Sequence, residues 1–462
     1  MSAAPLSASR LAIPSVVAAC AVAMVLGAFA QRVPCTESSR DAQGQYELNW
    51  SNERPFTYYC YSDVIALYGA DQLDRPGEFP YETSWVEDAG TPAAQVHYVE
   101  YPVLTGLLMW AGAGVAQDLA RTGLFPHLAT VVVYFDLIAV LLAIAWLCVV
   151  AAVMRLLRPS GVYALAVALS PLVLAQLFTN FDAVAVALAT GALLAWADRR
   201  PLLAGVLLGL GGATKLYPLL LLIPLLALCV RAGALRPGLR ALAGAAAGWV
   251  VANAPIAILF PAGWSYFWRF SAMRGAGLES LYNIVSYFAN AGLDRNLAPN
   301  QTPAALNALS AGLFAAACVA ICAVALSAPR RPRLAPLCLL VLAAFLLLSK
   351  VYSPQYSLWL VPLAVLALPR WRLLVPWMLI DALVWVPTML FQRAAIGEGY
   401  FLAAVLVRDA ALAVICAAVV HEIYRPARDT LRAGGADDGC GGVLDGAPDR
   451  VRLGRHGIAV AR

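Results

Sequence analysis

The chain has 462 residues, 61% of them hydrophobic and only 13% charged, with a formal net charge of +5. A soluble domain is nearer half apolar and about a quarter charged, so this composition excludes an ordinary soluble fold and fits a polytopic membrane protein. No basic run is interleaved with aromatics, which argues against nucleic acid as a partner.

The first apolar stretch, residues 11–30, follows Arg10 and has the ~20 residues that a bilayer crossing needs. Many further spans follow, so it reads as a retained first helix after a cytoplasmic N-terminus (1–10), not as a cleaved signal. Short arginine-rich segments recur at 154–159, 198–200, 231–240, 329–333, 369–372 and 425–428, and such segments belong on the cytoplasmic side. Placing all of them there predicts about 12 spans, near 11–30, 128–153, 161–178, 182–197, 201–215, 216–230, 241–261, 303–328, 334–349, 356–368, 373–391 and 400–421. The apolar segment 102–116 would break that charge pattern as a span, so it is read as a helix on or partly in the outer surface. The expected fold is therefore an all-α polytopic membrane domain over 11–421.

Residues 31–127 then form one long external loop, carrying thirteen acidic residues against five arginines. A second external loop spans 262–302 and is aromatic and polar. Residues 422–462 form a cytoplasmic tail, Gly/Asp/Arg-rich from 429 and predicted to be disordered. Most cysteines fall in apolar segments, where a thiol acts as a small hydrophobe. Cys35 and Cys60 fall in the first external loop, where an oxidising compartment would join them as a disulfide. No CxxC pair or His/Cys cluster suggests zinc, and NxS/T sequons stand at Asn49 and Asn300.

With this topology, polar residues gather at one face. Asp63, His97 and Glu100 lie in the first loop. Asn180 and Asp182 lie at the outer turn between the third and fourth spans. Lys215 and Tyr217 lie between the fifth and sixth, and Lys350, Gln355 and Tyr356 between the ninth and tenth. The two lysines are the only ones in the chain. Charges at membrane depth cost roughly 2.5–3.5 kcal/mol each on insertion scales and therefore face a cavity or a partner. Each residue also has a plainer reading. Ser62 and Asp63 suit a helix start, Asp182 suits another cap, and His97 an ordinary loop position. The lysines suit helix ends where long side chains reach water. Arg408 and Asp409 suit a local pair, and Asp136 and Asp381 have no assignment.

Five stretches carry a resemblance in this order: YCYSDVIALYG (59–69), PYETSW (80–85) with HYVEYPVLTGLLMW (97–110), TNFDAVAVALA (179–189), GLGGATKLYPLLLL (209–222) and KVYSPQYSLWLVP (350–362). Together they resemble the C-type glycosyltransferase (GT-C) superfamily, and within it family 87, the polyprenyl-phosphate-mannose-dependent α-mannosyltransferases. The resemblance runs from about residue 55 to about 365. It implies a GT-C fold whose long first external loop carries surface helices, in the plasma membrane, with the active site on the extracytoplasmic side.

The resemblance places the catalytic base at Asp63. A sugar hydroxyl is a poor nucleophile, and a positioned carboxylate can take its proton as it attacks the donor's anomeric carbon. Lys215 and Lys350 would meet the departing phosphate. Glu100, His97, Asp182, Tyr217, Gln355 and Tyr356 would contact substrate. Direct displacement by one base inverts the anomeric centre. The implied partners are a polyprenyl-phosphate-sugar donor, a glycolipid or glycan acceptor, and membrane lipids. The superfamily often has an acidic pair in the first loop, whereas here Asp63 is flanked by Ser62 and Val64, so no metal or other cofactor is assigned. Arabinose or glucose donors are alternatives within the enzyme reading. A transporter or flippase of lipid-linked sugars is a competing class, although transporters keep their sites near the midplane between repeats and no repeat is evident. A non-catalytic partner of an envelope synthase is a third, in which Asp63→Asn would leave activity intact.

Overall fold

The computed structural model describes residues 8–158, 160–294, 297, 301–433, 438–454 and 457–460; the Asn300 sequon lies outside them. Among the described residues seven helices are long and apolar enough to cross a membrane: Ile13–Thr36, Val103–Arg121, Thr130–Leu156, Leu235–Leu259, Ala304–Ser327, Trp371–Gln392 and Glu398–Tyr424. Six shorter apolar helical stretches accompany them, Gly161–Gln176, Asp182–Ala197, Pro201–Thr214, Tyr217–Ala232, Leu334–Leu348 and Pro354–Ala367. The twelve expected segments correspond to six of the long helices and these six short ones. A 14-residue helix such as Pro201–Thr214 rises only about 21 Å, short of the ~30 Å hydrocarbon core, so length and composition support seven crossings. Val103–Arg121, expected on the surface, is among the seven. Loop charge informs orientation and says little about whether a 19-residue apolar helix is long enough to cross.

The short helices shape the interior. They come in pairs that break at one level: Gly161–Gln176 and Asp182–Ala197 at residues 177–181, Pro201–Thr214 and Tyr217–Ala232 at 215–216, Leu334–Leu348 and Pro354–Ala367 at 349–353. At each of the last two breaks a residue takes extended backbone, Lys215 at φ −147, ψ 138 and Ser349 at φ −73, ψ 148. Prolines follow at 218 and 354, in the first turn of the next helical segment, where the missing N–H is one that no intrahelical bond would use. Every residue of Ser357–Ala367 is buried. Polar breaks thus open inside an apolar bundle.

Small residues bring two helices unusually close. A Cβ at Gly205 would stand 1.9 Å from the Ala241 carbonyl oxygen, and one at Gly248 would stand 2.6 Å from that of Val206. Gly205/Gly209 facing Gly244/Gly248 is the four-residue spacing that lets membrane helices pack backbone to backbone.

Three two-stranded antiparallel hairpins lie outside the helices, which the all-α reading did not include: Ser38–Arg40 with Tyr46–Leu48, Trp85–Glu87 with Gln95–His97, and Val451–Gly454 with Gly457–Val460. The tail was expected to be disordered. Its described residues pack on the bundle, with Cys440 and Leu444 buried. Gly439 sits against the Leu156 carbonyl and Gly442, at φ +58, against that of Trp196. Low hydrophobicity suggested disorder, but it does not register the close backbone approach and ion pairing that hold this segment.

Candidate active site

The start of the Asp63–Ala70 helix is held by several ties. Cys35 and Cys60 form a disulfide. Gln31 donates to the Tyr59 carbonyl, and buried Arg32 donates to the Tyr61 carbonyl at 2.5 Å and to Thr179 Oγ1 at 2.7 Å. Ser62 has the extended backbone of an N-cap, but its hydroxyl donates to the Phe178 carbonyl at 2.7 Å instead of capping the helix. The Asp63 N–H donates to the Thr179 carbonyl at 2.7 Å. These bonds fasten the acid to the 177–181 break.

Asn180 is the hub there. Its Nδ2 donates to Asp63 Oδ2 and to the Tyr101 hydroxyl, both at 2.7 Å, while its Oδ1 accepts from Lys215 Nζ at 3.2 Å. The amide thus points its carbonyl at the cation and its N–H groups at the carboxylate. Gln355 Nε2 also donates to Asp63 Oδ2, at 3.3 Å. Both amide contacts fall on one oxygen, so Oδ1 takes neither. The Tyr61 phenol neighbours the same carboxylate, and burial with that charge pushes it above its ordinary value.

Lys215 Nζ lies 3.7 Å from Asp182 Oδ1 and sits 4.9 Å from the Tyr101 ring centre and 5.7 Å from that of Tyr356, within range of cation–π attraction. Asp182 is fully buried and accepts from Trp359 Nε1 at 2.6 Å; its side chain serves Lys215 and Trp359, not a cap. Trp359 stacks between Tyr217 and Tyr356, with ring centres 4.3 and 4.2 Å away.

Asp63, Glu100, Asn180, Lys215, Tyr217, Arg274, Lys350, Gln355 and Tyr356 line one cavity of about 700 Å³, within the range of small-molecule sites. Phe267, Phe270, Phe345, Trp385, Met389 and Phe401 give it apolar wall. Glu100 makes no hydrogen bond among the described residues; burial raises its carboxyl above the usual range and the Arg274 charge draws it back. Lys350 contributes to the wall, but its ammonium is bonded to Ala272, Arg274 and Asn307. His97 stands outside the lining, bonded to the Tyr266 hydroxyl at 2.7 Å and 3.5 Å from Glu87.

Sequence reasoning noticed Asn180 without giving it a role and missed Tyr101, Trp359 and Arg274. The first three lie inside the quoted motifs, which was an available signal. Arg274 lies in a loop where nothing in the local pattern distinguishes it. Among the described residues no three His, Cys, Asp or Glu side chains group as metal ligands.

A sequence model described as glycosyltransferase family 87 matches residues 99–349, more than half of the chain. The matched stretch includes Glu100, Asn180, Lys215, Arg274 and Lys350, while Asp63 and Gln355 fall outside it. No curated protein matches the chain.

Proposed function

The chain belongs to glycosyltransferase family 87, and from that premise we propose that it is an inverting α-mannosyltransferase of GT-C type. It transfers mannose from a polyprenyl-phosphate donor to a glycolipid or glycan of the cell envelope, on the extracytoplasmic face of the plasma membrane. The observation that carries this reading is the Asp63–Asn180–Lys215 relay, a carboxylate and an ammonium held by one amide on the wall of a part-apolar cavity.

Asp63 takes the proton of the acceptor hydroxyl as its oxygen attacks the anomeric carbon. The bond from that carbon to the phosphate oxygen breaks, and the electron pair leaves on the phosphate. Positioned base catalysis of this kind contributes about 10²–10⁴-fold. Lys215 and Arg274 meet the charge growing on the phosphate, where little water competes. Glu100 and Gln355 contact the acceptor, Tyr217 and Tyr356 supply aromatic surface for the sugar, and the apolar wall takes the first part of the polyprenyl chain.

The test is transfer by purified protein in sealed proteoliposomes, supplied in turn with radiolabelled polyprenyl-phosphate mannose, arabinose and glucose together with candidate glycolipids. Label entering an α-mannoside from the mannose donor alone is the expected result. Transfer only from another donor would change the sugar. Movement of intact donor across the bilayer without transfer would replace the enzyme reading with a flippase.

A further inference from the structure

The segment between helices Pro261–Met273 and Leu281–Phe288 borders the cavity and is anchored along its length. Lys350 Nζ donates to the Ala272 carbonyl at 3.2 Å, the Arg274 carbonyl at 2.6 Å and Asn307 Oδ1 at 2.5 Å. An ammonium has three N–H donors, so these three acceptors use them all. The Lys350 carbonyl in turn accepts the Gly277 N–H at 2.7 Å. A Cβ at Gly277 would stand 3.3 Å from that oxygen, so glycine permits the approach. Asp294 Oδ2 accepts the Ala276 N–H at 2.7 Å. Farther along, Glu279 pairs with Arg408, whose Nη2 also donates to the Glu279 carbonyl at 3.1 Å.

None of these anchors uses the side chain of Arg274. Its guanidinium makes no hydrogen bond among the described residues, lies 5.4 Å from the Phe270 ring centre and contributes to the cavity wall. A planar fork of N–H donors matches phosphate oxygens better than an ammonium does. Lys350, with its donors spent, is poorly placed to do that job.

We infer that Lys350 is a positioning residue, which fixes the backbone at Arg274 so that the guanidinium faces the cavity and binds the donor phosphate. The phosphate part of this assignment rests on the donor reading above; the positioning part does not. Glu100 reports on the placement. The charges that face it are Arg274, Asp63, Lys215, Glu87 and Asp71, and Arg274 is the strongest of those that lower its proton affinity. Displacing Arg274 therefore leaves Glu100 holding its proton to higher pH.

The test is a cycle of Arg274→Ala, Lys350→Met and the double variant, read as kcat, as the acid limb of the pH profile and as amide hydrogen exchange over 272–280. Arg274→Ala is expected to lose about 10²-fold in kcat and Lys350→Met about 10-fold. The double variant should lose about 10²-fold, because residues acting through one another do not add. Both single variants should move the acid limb upward, and exchange in the segment should speed in Lys350→Met and in the double variant but not in Arg274→Ala. Multiplying losses, near 10³-fold in the double variant, would mean that Lys350 acts on its own and would overturn the inference. Unchanged exchange in Lys350→Met would overturn the positioning. Absence of transfer by the unaltered protein from any polyprenyl-phosphate donor would overturn the phosphate assignment, while the exchange measurement would still decide the positioning.

Discussion

The two ends of the helix pairs use charge in opposite ways. At the arginine-bearing turns four guanidinium groups are taken up by carbonyls and carboxylates of the scaffold. Arg231 bonds the carbonyls of Ala325 and Ala328 and pairs with Asp449. Arg331 bonds those of Leu444 and Ala447. Arg333 bonds Leu366 and Ala367 and pairs with Asp429. Arg370 bonds Thr430 and pairs with Glu422. Much of this is supplied by the tail, which ties the turns to one another. At the cavity end Asp63 keeps an oxygen clear of its two amide donors, and Glu100 and Arg274 make no side-chain hydrogen bond among the described residues. Buried polar groups are ordinarily satisfied, so charge spent on holding marks scaffold, and charge left open in a cavity marks chemistry.

Substitutions at the two ends should therefore fail differently. The largest effect is expected for Asp63→Asn, which keeps the shape and an oxygen for Asn180 but removes the proposed base. Transfer should fall by about 10²–10⁴-fold with the melting temperature nearly unchanged, as checked by labelled-sugar transfer and a thermal scan. Lys215→Ala should lower kcat by about 10²-fold and also reduce stability, because Asp182 then lacks its cation. Adding Asp182→Asn should restore melting and leave activity low. Recovery of activity by that second change would erase the distinction between the two ends.

At the arginine end, Asp429→Ala strips the buried Arg333 of its partner, and breaking such a pair costs about 3–5 kcal/mol. The melting temperature should drop sharply, while kcat measured well below it should stay close to that of the unaltered protein. A loss of kcat as large as that of Asp63→Asn would break the comparison. Cys35→Ser should cost about 2–4 kcal/mol and should lower activity as well, because Cys60 lies three residues before Asp63.

The smallest effect is a pH dependence. Burial and the nearby Arg274 charge pull Lys350 down to about 8, below the 10.5 ordinary for a lysine. Between those values the unfolded chain binds more protons than the folded one, so stability rises with pH across that window. Thermal scans at pH 7.5 and 9.5 should show this rise, diminished in Lys350→Met.

Much of this division could be read from the sequence. The length of the apolar stretches and arginine placement located the helices, and Asp63, Lys215 and Gln355 stand in motifs that the fold brings to one cavity. The cysteine pair was legible because its members were set apart from the apolar segments. What escaped depends on contacts distant in the chain. Lys350 looked like a free cation because nothing local reveals that carbonyls 76 and 78 residues away capture it. The tail looked disordered because its aspartates meet arginines supplied by turns far upstream. His97 shares a motif with Glu100 but turns to Tyr266, a partner 169 residues onward.

A structure of the protein with a non-hydrolysable polyprenyl-phosphate-sugar analogue would test the central claim most directly. The account predicts the phosphate within hydrogen-bond distance of Lys215 Nζ and the Arg274 guanidinium, with the anomeric carbon facing Asp63 Oδ1 across the space for one acceptor hydroxyl. A sugar–phosphate bound with Asp63 on neither side of the reacting carbon would contradict it.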